Sequence, residues 1–316
     1  MLLTPIQKDN LTSVNEFFLV GFQGSQSLRI FIFCLLLLVY FGTISANLLI
    51  VTLVSTSKNL HTPMYFFISQ LSIADIMLIT DIVPNLMNVQ LKNGGNVTFI
   101  DCITQLYVFC ATEASECLLL TVMSYDRYVA ICNPLRYSSI MTRGYCIILN
   151  SICWLLGFSL TLTYSLSTGK LKYCGPNIID HLFCDLLPLE ELACSDTFIV
   201  NLELYIVGFL AVCVPVTIIF CFYTNIVLAI LRIPSNTGRW KAFSTCSSHL
   251  IVISIFYWTM FGVYLVPTHG KTPTIGKILS LLYTVFTPFI NPIIYSLRNM
   301  DIRKAVQKTL YKQVIW

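Results

Sequence analysis

The chain has 316 residues, of which 56% are hydrophobic and only 11% charged, against roughly 45 to 50% and about 25% in an ordinary soluble domain. A composition this apolar excludes a soluble enzyme or binding module and calls for lipid around most of the chain. The formal net charge of +4 comes from unevenly spread Lys and Arg, which reads as membrane orientation and gives no reason to expect nucleic-acid binding.

The first 27 residues are polar and carry Lys8, Asp9 and Glu16, so no cleavable signal peptide is expected and the first span must do the targeting. Asn10-Leu11-Thr12 is a glycosylation sequon in that segment. A membrane span needs about 20 apolar residues. Seven such runs follow, near residues 28 to 54, 64 to 88, 100 to 124, 143 to 166, 199 to 231, 247 to 267 and 275 to 297. They predict an all-α membrane protein with one seven-transmembrane helix bundle over residues 28–297. Residues 1–27 form a glycosylated extracellular segment, and residues 298–316 a cytoplasmic tail with a short amphipathic helix on the anionic inner leaflet. Most basic residues, including Lys58, Arg127, Arg136, Arg143, Arg232, Arg239, Arg303 and Lys304, fall on one face, which is therefore cytoplasmic.

The first span carries Asn47, and the second opens after Leu60-His61-Thr62-Pro63-Met64-Tyr65-Phe66-Phe67. Pro63 suits a first helical position, where its missing N–H would be unpaired in any case. A second sequon, Asn96-Val97-Thr98, lies close to the third span, where a sugar would crowd the membrane surface. That span ends in Met123-Ser124-Tyr125-Asp126-Arg127-Tyr128-Val129-Ala130-Ile131-Cys132, followed by Pro134-Leu135-Arg136-Tyr137. An acid and a base at the edge of a hydrocarbon layer are costly unless they face protein or water, so they mark function.

An outer loop of about 30 residues, Ser167 to Asp196, is too long for a mere connection and is expected to lid the bundle. It contains Tyr173-Cys174-Gly175-Pro176-Asn177 and His181-Leu182-Phe183-Cys184-Asp185. His181 reads as a loop hydrogen-bonder, since the histidines show no ligand spacing. Of the 13 cysteines, Cys102, Cys174, Cys184 and Cys194 lie on the oxidising face, and spacing leaves their pairing open. Span five contains Pro215, which permits a bend. Span six opens with Lys241-Ala242-Phe243-Ser244-Thr245-Cys246-Ser247-Ser248-His249-Leu250 and has no proline before Pro267. Span seven ends Pro288-Phe289-Ile290-Asn291-Pro292-Ile293-Ile294-Tyr295, where Pro292 frees a carbonyl that Asn291 is expected to satisfy.

The Asp126-Arg127-Tyr128 triplet and the Asn291-Pro292-x-x-Tyr295 string resemble signatures of rhodopsin-like G-protein-coupled receptors. The longer strings, spread from residue 60 to residue 299, resemble the odorant-receptor family specifically. The resemblance implies disulfides Cys102 with Cys184 and Cys174 with Cys194. It also implies a switch in which Asp126 holds Arg127 at rest. Outward movement of span six would then free Arg127 and Tyr128 for a stimulatory G protein that raises cAMP, with Tyr223 and Tyr295 closing in beneath. Phe256-Tyr257 stands where other rhodopsin-like receptors place a Cys-Trp-x-Pro pivot. The partners implied are a small volatile odorant, a heterotrimeric stimulatory G protein and plasma-membrane lipid. An enzyme is disfavoured by the absence of Gly-x-Ser-x-Gly, His-Glu-x-x-His and phosphate-loop motifs. A cation channel or transporter with a midplane acidic site is the alternative, although no internal repeat supports it.

The spans hold Asp75, Asp81, Glu113 and Glu116, with no Lys or Arg at mid-depth to pair with them. Glu116 lies roughly 15 Å along the helix from Asp126. Asp75 and Glu116 match acids of the family, and with Asn291 they predict a sodium site; two protonated acids sharing hydrogen bonds are the alternative. No other cofactor is expected. The ligand is expected among Phe109, Cys110, Glu113 and Ala114, Val207 and Gly208, Tyr257, Met260, Phe261 and Tyr264, and Leu281, a mostly apolar set as a small volatile requires. Glu113 departs from the small residue typical of the family and stands one turn from Glu116. It would act as a protonated donor to a neutral odorant, as an extension of the ion site, or as counter-ion to an amine.

Overall fold

The computed structural model describes residues 14–265, 273–299 and 301–307. The Asn10 sequon, Pro267 and residues 308–316 lie outside them. The described residues include seven helices long and apolar enough to cross a membrane. These are α1 (Gln26–Thr56), α2 (Pro63–Lys92), α3 (Phe99–Cys132), α4 (Arg143–Gly169), α5 (Phe198–Leu231), α6 (Asn236–Leu265) and α7, which starts at Pro273 and ends at Arg298. The fold is the expected seven-helix bundle.

Local chemistry sets the helix starts. Ser25, Thr98 and Thr142 accept from the backbone N–H groups of Leu28, Asp101 and Tyr145, satisfying donors that the first turn leaves orphaned. Pro63 occupies the first turn of α2, and Asn93 closes that helix in the left-handed conformation. Both α2 and α3 run past their hydropathy limits. Asp126 and Arg127 therefore lie within α3, not beyond it.

The interior belongs to α2 and α3, while α1, α4 and α5 form the perimeter. Their outward side chains are large and apolar: Phe31, Leu38, Leu155 and Phe220 are each more than half exposed. In water such a belt would be an aggregation surface; in a bilayer it meets acyl chains and every helix satisfies its own backbone.

Two helices are not regular. Phe209–Cys213 in α5 and Leu282–Phe286 in α7 form π turns, and each lies just ahead of a proline, Pro215 or Pro288. A proline cannot donate to the carbonyl four residues earlier and crowds it, so a locally wider turn relieves the conflict. The wide turn in α7 carries Tyr283, Thr284 and Val285 inward, and all three are buried.

One end of the bundle carries a small sheet that the sequence does not announce. The strands β1 (Glu16–Leu19), β2 (Gly95–Thr98) and β3 (Ile178–Ile179) pair in the order β2-β1-β3, so the N-terminal strand lies between two loops. β1 runs antiparallel to β2, with Glu16 opposite Thr98, and parallel to β3. Phe17 and Leu19 face inward and are fully buried, and Phe17 meets Tyr173 edge-on at 5.2 Å. Gly94, at φ +113, lets the chain turn under β1; a Cβ there would lie 2.3 Å from Phe18. Asn96 in β2 donates to Glu16 at 3.0 Å. The disulfide Cys102–Cys184 ties the loop to α3 and Cys174–Cys194 closes the loop on itself.

At the opposite end a short helix over residues 301–307 buries Ile302 and exposes Arg303 and Lys304. Tyr65 anchors its start, donating to Asn299 at 2.8 Å and Asp301 at 3.0 Å.

Candidate functional site

The mouth under the sheet is fastened by polar contacts that patterning does not show. Lys277 of α7 is buried, and its Nζ donates to Asp180 of the long loop at 2.6 Å and to Gly21 O at 2.8 Å. N-terminal segment, loop and α7 thus meet on one ammonium. A buried Lys is tolerable because both contacts are charged or strongly polar. His181 Nε2 lies 3.2 Å from Ser280 Oγ, and its Nδ1 lies 3.3 Å from Phe183 O. It is a loop hydrogen-bonder, as expected. Burial pushes the His181 imidazole below its ordinary pKa, against the pull of nearby Asp185. Gln105 of α3 accepts from Cys184 N–H at 3.0 Å and donates to Asp81 O at 2.9 Å, joining loop, α3 and α2.

Beneath this lid lies an aromatic layer. Phe109 stands edge-on to Phe183 at 5.3 Å and to Tyr283 at 6.4 Å; Phe256 lies 5.9 Å from Tyr283 and 5.2 Å from Tyr257. Of the expected ligand residues, Phe109, Glu113, Ala114, Tyr257 and Met260 are buried here. Val207, Gly208, Phe261 and Leu281 are half-buried, with open space beside Gly208. The Cys110 thiol lies 3.3 Å from the Tyr164 hydroxyl, on the α4 side of α3. The Tyr264 side chain lies outside the described residues.

The acids sort by depth. Glu113 is held by Tyr283, whose hydroxyl donates to Oε2, while Oε1 is buried without a hydrogen-bond partner. Tyr283 is the residue that sequence reasoning missed, because on a regular helix nothing marks it as facing α3. Its only sequence signal is the downstream Pro288. One turn from Glu113, the buried Glu116 leaves its own Oε1 unpartnered. Asp75 accepts from Asn291 Nδ2 at 3.0 and 3.3 Å. This corrects the expectation for Asn291. The carbonyl that Pro292 frees is Pro288 O, and Asn47 of α1 takes it at 3.3 Å, so Asn291 is available to Asp75. Among the described residues no three His, Cys, Asp or Glu side chains converge to hold a metal by themselves.

At the far end of α3, Asp126 is fully buried and paired with Arg127, whose Nε donates to Asp126 Oδ2 at 2.9 Å. Tyr137 donates to the other oxygen at 2.8 Å. Tyr128 stacks on Phe222 of α5 at 5.2 Å. The Tyr223 hydroxyl lies 2.6 Å from His249 Nδ1, tying α5 to α6. Tyr295 is buried, and its hydroxyl has no hydrogen-bond partner. A cleft of about 650 Å³ near this end, between α1, α2 and α4, is lined by Leu60, His61, Phe66, Met141 and Arg143 and lies apart from the aromatic layer.

A family model described as "Olfactory receptor" matches residues 33–313. The chain is 42% identical to olfactory receptor 11L1 of Homo sapiens, over 98% of this chain and 97% of that one. It is 41% identical to olfactory receptor 1M1 of Mus musculus, over 98% and 99% of the respective chains. Its fold resembles the crystal structure of squid rhodopsin with a TM-score of 0.77 at 17% identity, covering 91% of this chain and 82% of that chain.

Proposed function

The chain belongs to the olfactory receptor family, and from that membership we propose that it is an odorant receptor of the plasma membrane. In this reading it binds small volatile molecules within the bundle and activates a stimulatory G protein to raise cAMP. It is a multi-pass G-protein-coupled receptor and not an enzyme. The channel or transporter alternative is not favoured, since the relatives are receptors from end to end.

The finer reading rests on one observation: a buried aromatic layer with Glu113 in its floor, midway along α3, shares that helix with a closed Asp126–Arg127 pair near its far end. An odorant that fits the layer better when the far ends of α5 and α6 have parted shifts the population toward the parted form, and Arg127 becomes available to the G protein. The sheet end is then extracellular with Asn10 glycosylated, and residues 298–316 lie against the inner leaflet. In a cAMP reporter screen against acids, amines, aldehydes and terpenoids, at least one class is expected to raise cAMP. Silence across the panel at confirmed surface expression overturns the reading.

The lower acids fit a sodium ion. Glu116 Oε1 and Asn291 Oδ1 are buried and unpartnered, and Asp75 adds a carboxylate, giving the oxygen donors a hard cation takes. A bound ion would supply the countercharge that keeps this part of the bundle closed. Raising external sodium is therefore expected to lower basal cAMP in the wild type and to leave Glu116→Gln unmoved. Equal sodium responses would return the site to two protonated acids.

A further inference from the structure

We propose that the ligand class is the protonated amine: a small alkyl or aryl ammonium whose N–H is donated to Glu113 Oε1 and whose charge lies against the surrounding rings. The proposal rests on the reading above, that odorants bind within the bundle, and names what chemistry they carry.

Glu113 is 7% exposed. Its Oε2 accepts from Tyr283, and its Oε1 has no partner. Tyr283 brings a hydrogen bond but no charge. Among the described residues the ion pairs Arg127–Asp126 and Lys277–Asp180 sit at the two ends of the bundle, and neither brings a basic side chain to Glu113 at mid-depth. A buried carboxyl left this way either keeps a proton or gains a cation. A neutral alcohol or ketone serves only the protonated form, whereas an ammonium stabilises the ionised form in place.

The walls decide which cation. Phe109, Phe256, Tyr257 and Tyr283 stand in a linked group of rings, with centroid separations between 5.2 and 6.4 Å. Ring faces attract an organic ammonium within about 6 Å of the centroid, but they offer nothing to a hard ion that needs several oxygens. The oxygen donors are concentrated a turn lower, at Glu116, Asp75 and Asn291. The acids are therefore divided between a lower site of hard-cation character and an upper one lined by carbon, where an ammonium carrying an alkyl or aryl group fits.

The test uses the full-length receptor and primary amines from propylamine to 2-phenylethylamine, each beside its alcohol isostere. Thermal unfolding of the purified receptor reads binding without the G protein, and a cAMP reporter reads coupling. At least one amine is expected to raise the unfolding midpoint more than its alcohol, with the dose response weakened on the order of 100-fold in Glu113→Gln, as for loss of one partner of a buried charge pair. Alcohols matching or exceeding the amines, no amine shift at all, or an amine shift undiminished in Glu113→Gln each overturns the proposal. If Glu113→Gln does not fold, the wild type decides. Its amine shift must disappear as pH rises past the amine's own pKa while any alcohol shift stays flat, and a pH-independent amine shift overturns the proposal. An amine shift without cAMP supports the ligand class and rejects the coupling; cAMP to neutral odorants without any amine shift does the reverse.

Discussion

Replacing Gly157 with valine is expected to keep the protein from the cell surface. Gly157 faces α3 from α4, where a Cβ would lie 2.1 Å from Ser115 Oγ, 2.9 Å from Ser115 N and 3.0 Å from Ala111 O. Two of those atoms are backbone. The third donates to Ala111 O at 2.8 Å and gives up that bond if it turns away. Ala111 and Ser115 are themselves small and four residues apart, so the two helices touch along small residues, the way membrane helices gain packing without a hydrophobic drive between them. The close approach also brings Phe158 O within 3.3 Å of the Tyr107 hydroxyl. Overpacking a core costs about 1 to 3 kcal/mol where side chains can yield. Here α3 would have to move as a whole, and Cys102–Cys184 fastens it to the loop above. Surface staining of a tagged receptor reads the outcome, with Gly144→Val as control because nothing lies within 4 Å of its Cβ position. Normal surface levels for Gly157→Val would mean that α3 and α4 are not packed this tightly.

The bundle was legible because lipid imposes a length and a composition, and both are read directly from the chain. Helix ends were less legible, for a physical reason. Hydropathy falls at Asp126 and Arg127, but the hydrogen-bond ladder of α3 continues to Cys132. Span six likewise reads as apolar from residue 247, whereas its helix begins at Asn236 in polar sequence. The sheet left no trace, since β1 is four residues long and pairs with segments far along the chain. At the site, residue identities gave the acids but not their partners. Asp75 could be matched with Asn291 because both are polar residues in apolar runs. Tyr283 could not be matched with Glu113, because a π turn shifts the register of α7 by an amount that periodicity does not contain. The Asn47–Pro288 bond was hidden similarly: Pro292 predicts an orphaned carbonyl but not which helix supplies the donor.

Opposite signs are expected from the two halves of the Asp126–Arg127 pair. On the proposed reading, in which Arg127 is the group that meets the G protein, Arg127→Ala should reduce agonist-driven cAMP to background at unchanged surface expression. Asp126→Asn should raise basal cAMP. Its amide oxygen can still accept from Tyr137, now at 2.8 Å from Asp126 Oδ1, but it offers Arg127 no charge. Arg127 is then held only by weaker contacts, and each 1.4 kcal/mol or so removed from the resting form raises the active-to-resting ratio about tenfold. A pair that served packing alone would behave otherwise. Removing either partner of a buried ion pair strands the other charge, at a general cost of about 3 to 5 kcal/mol, so both variants would lose expression together and neither would gain basal signal. The sign of the Asp126→Asn effect, normalised to surface receptor, therefore separates a switch from a brace. Reduced basal cAMP in that variant would assign the pair to structure.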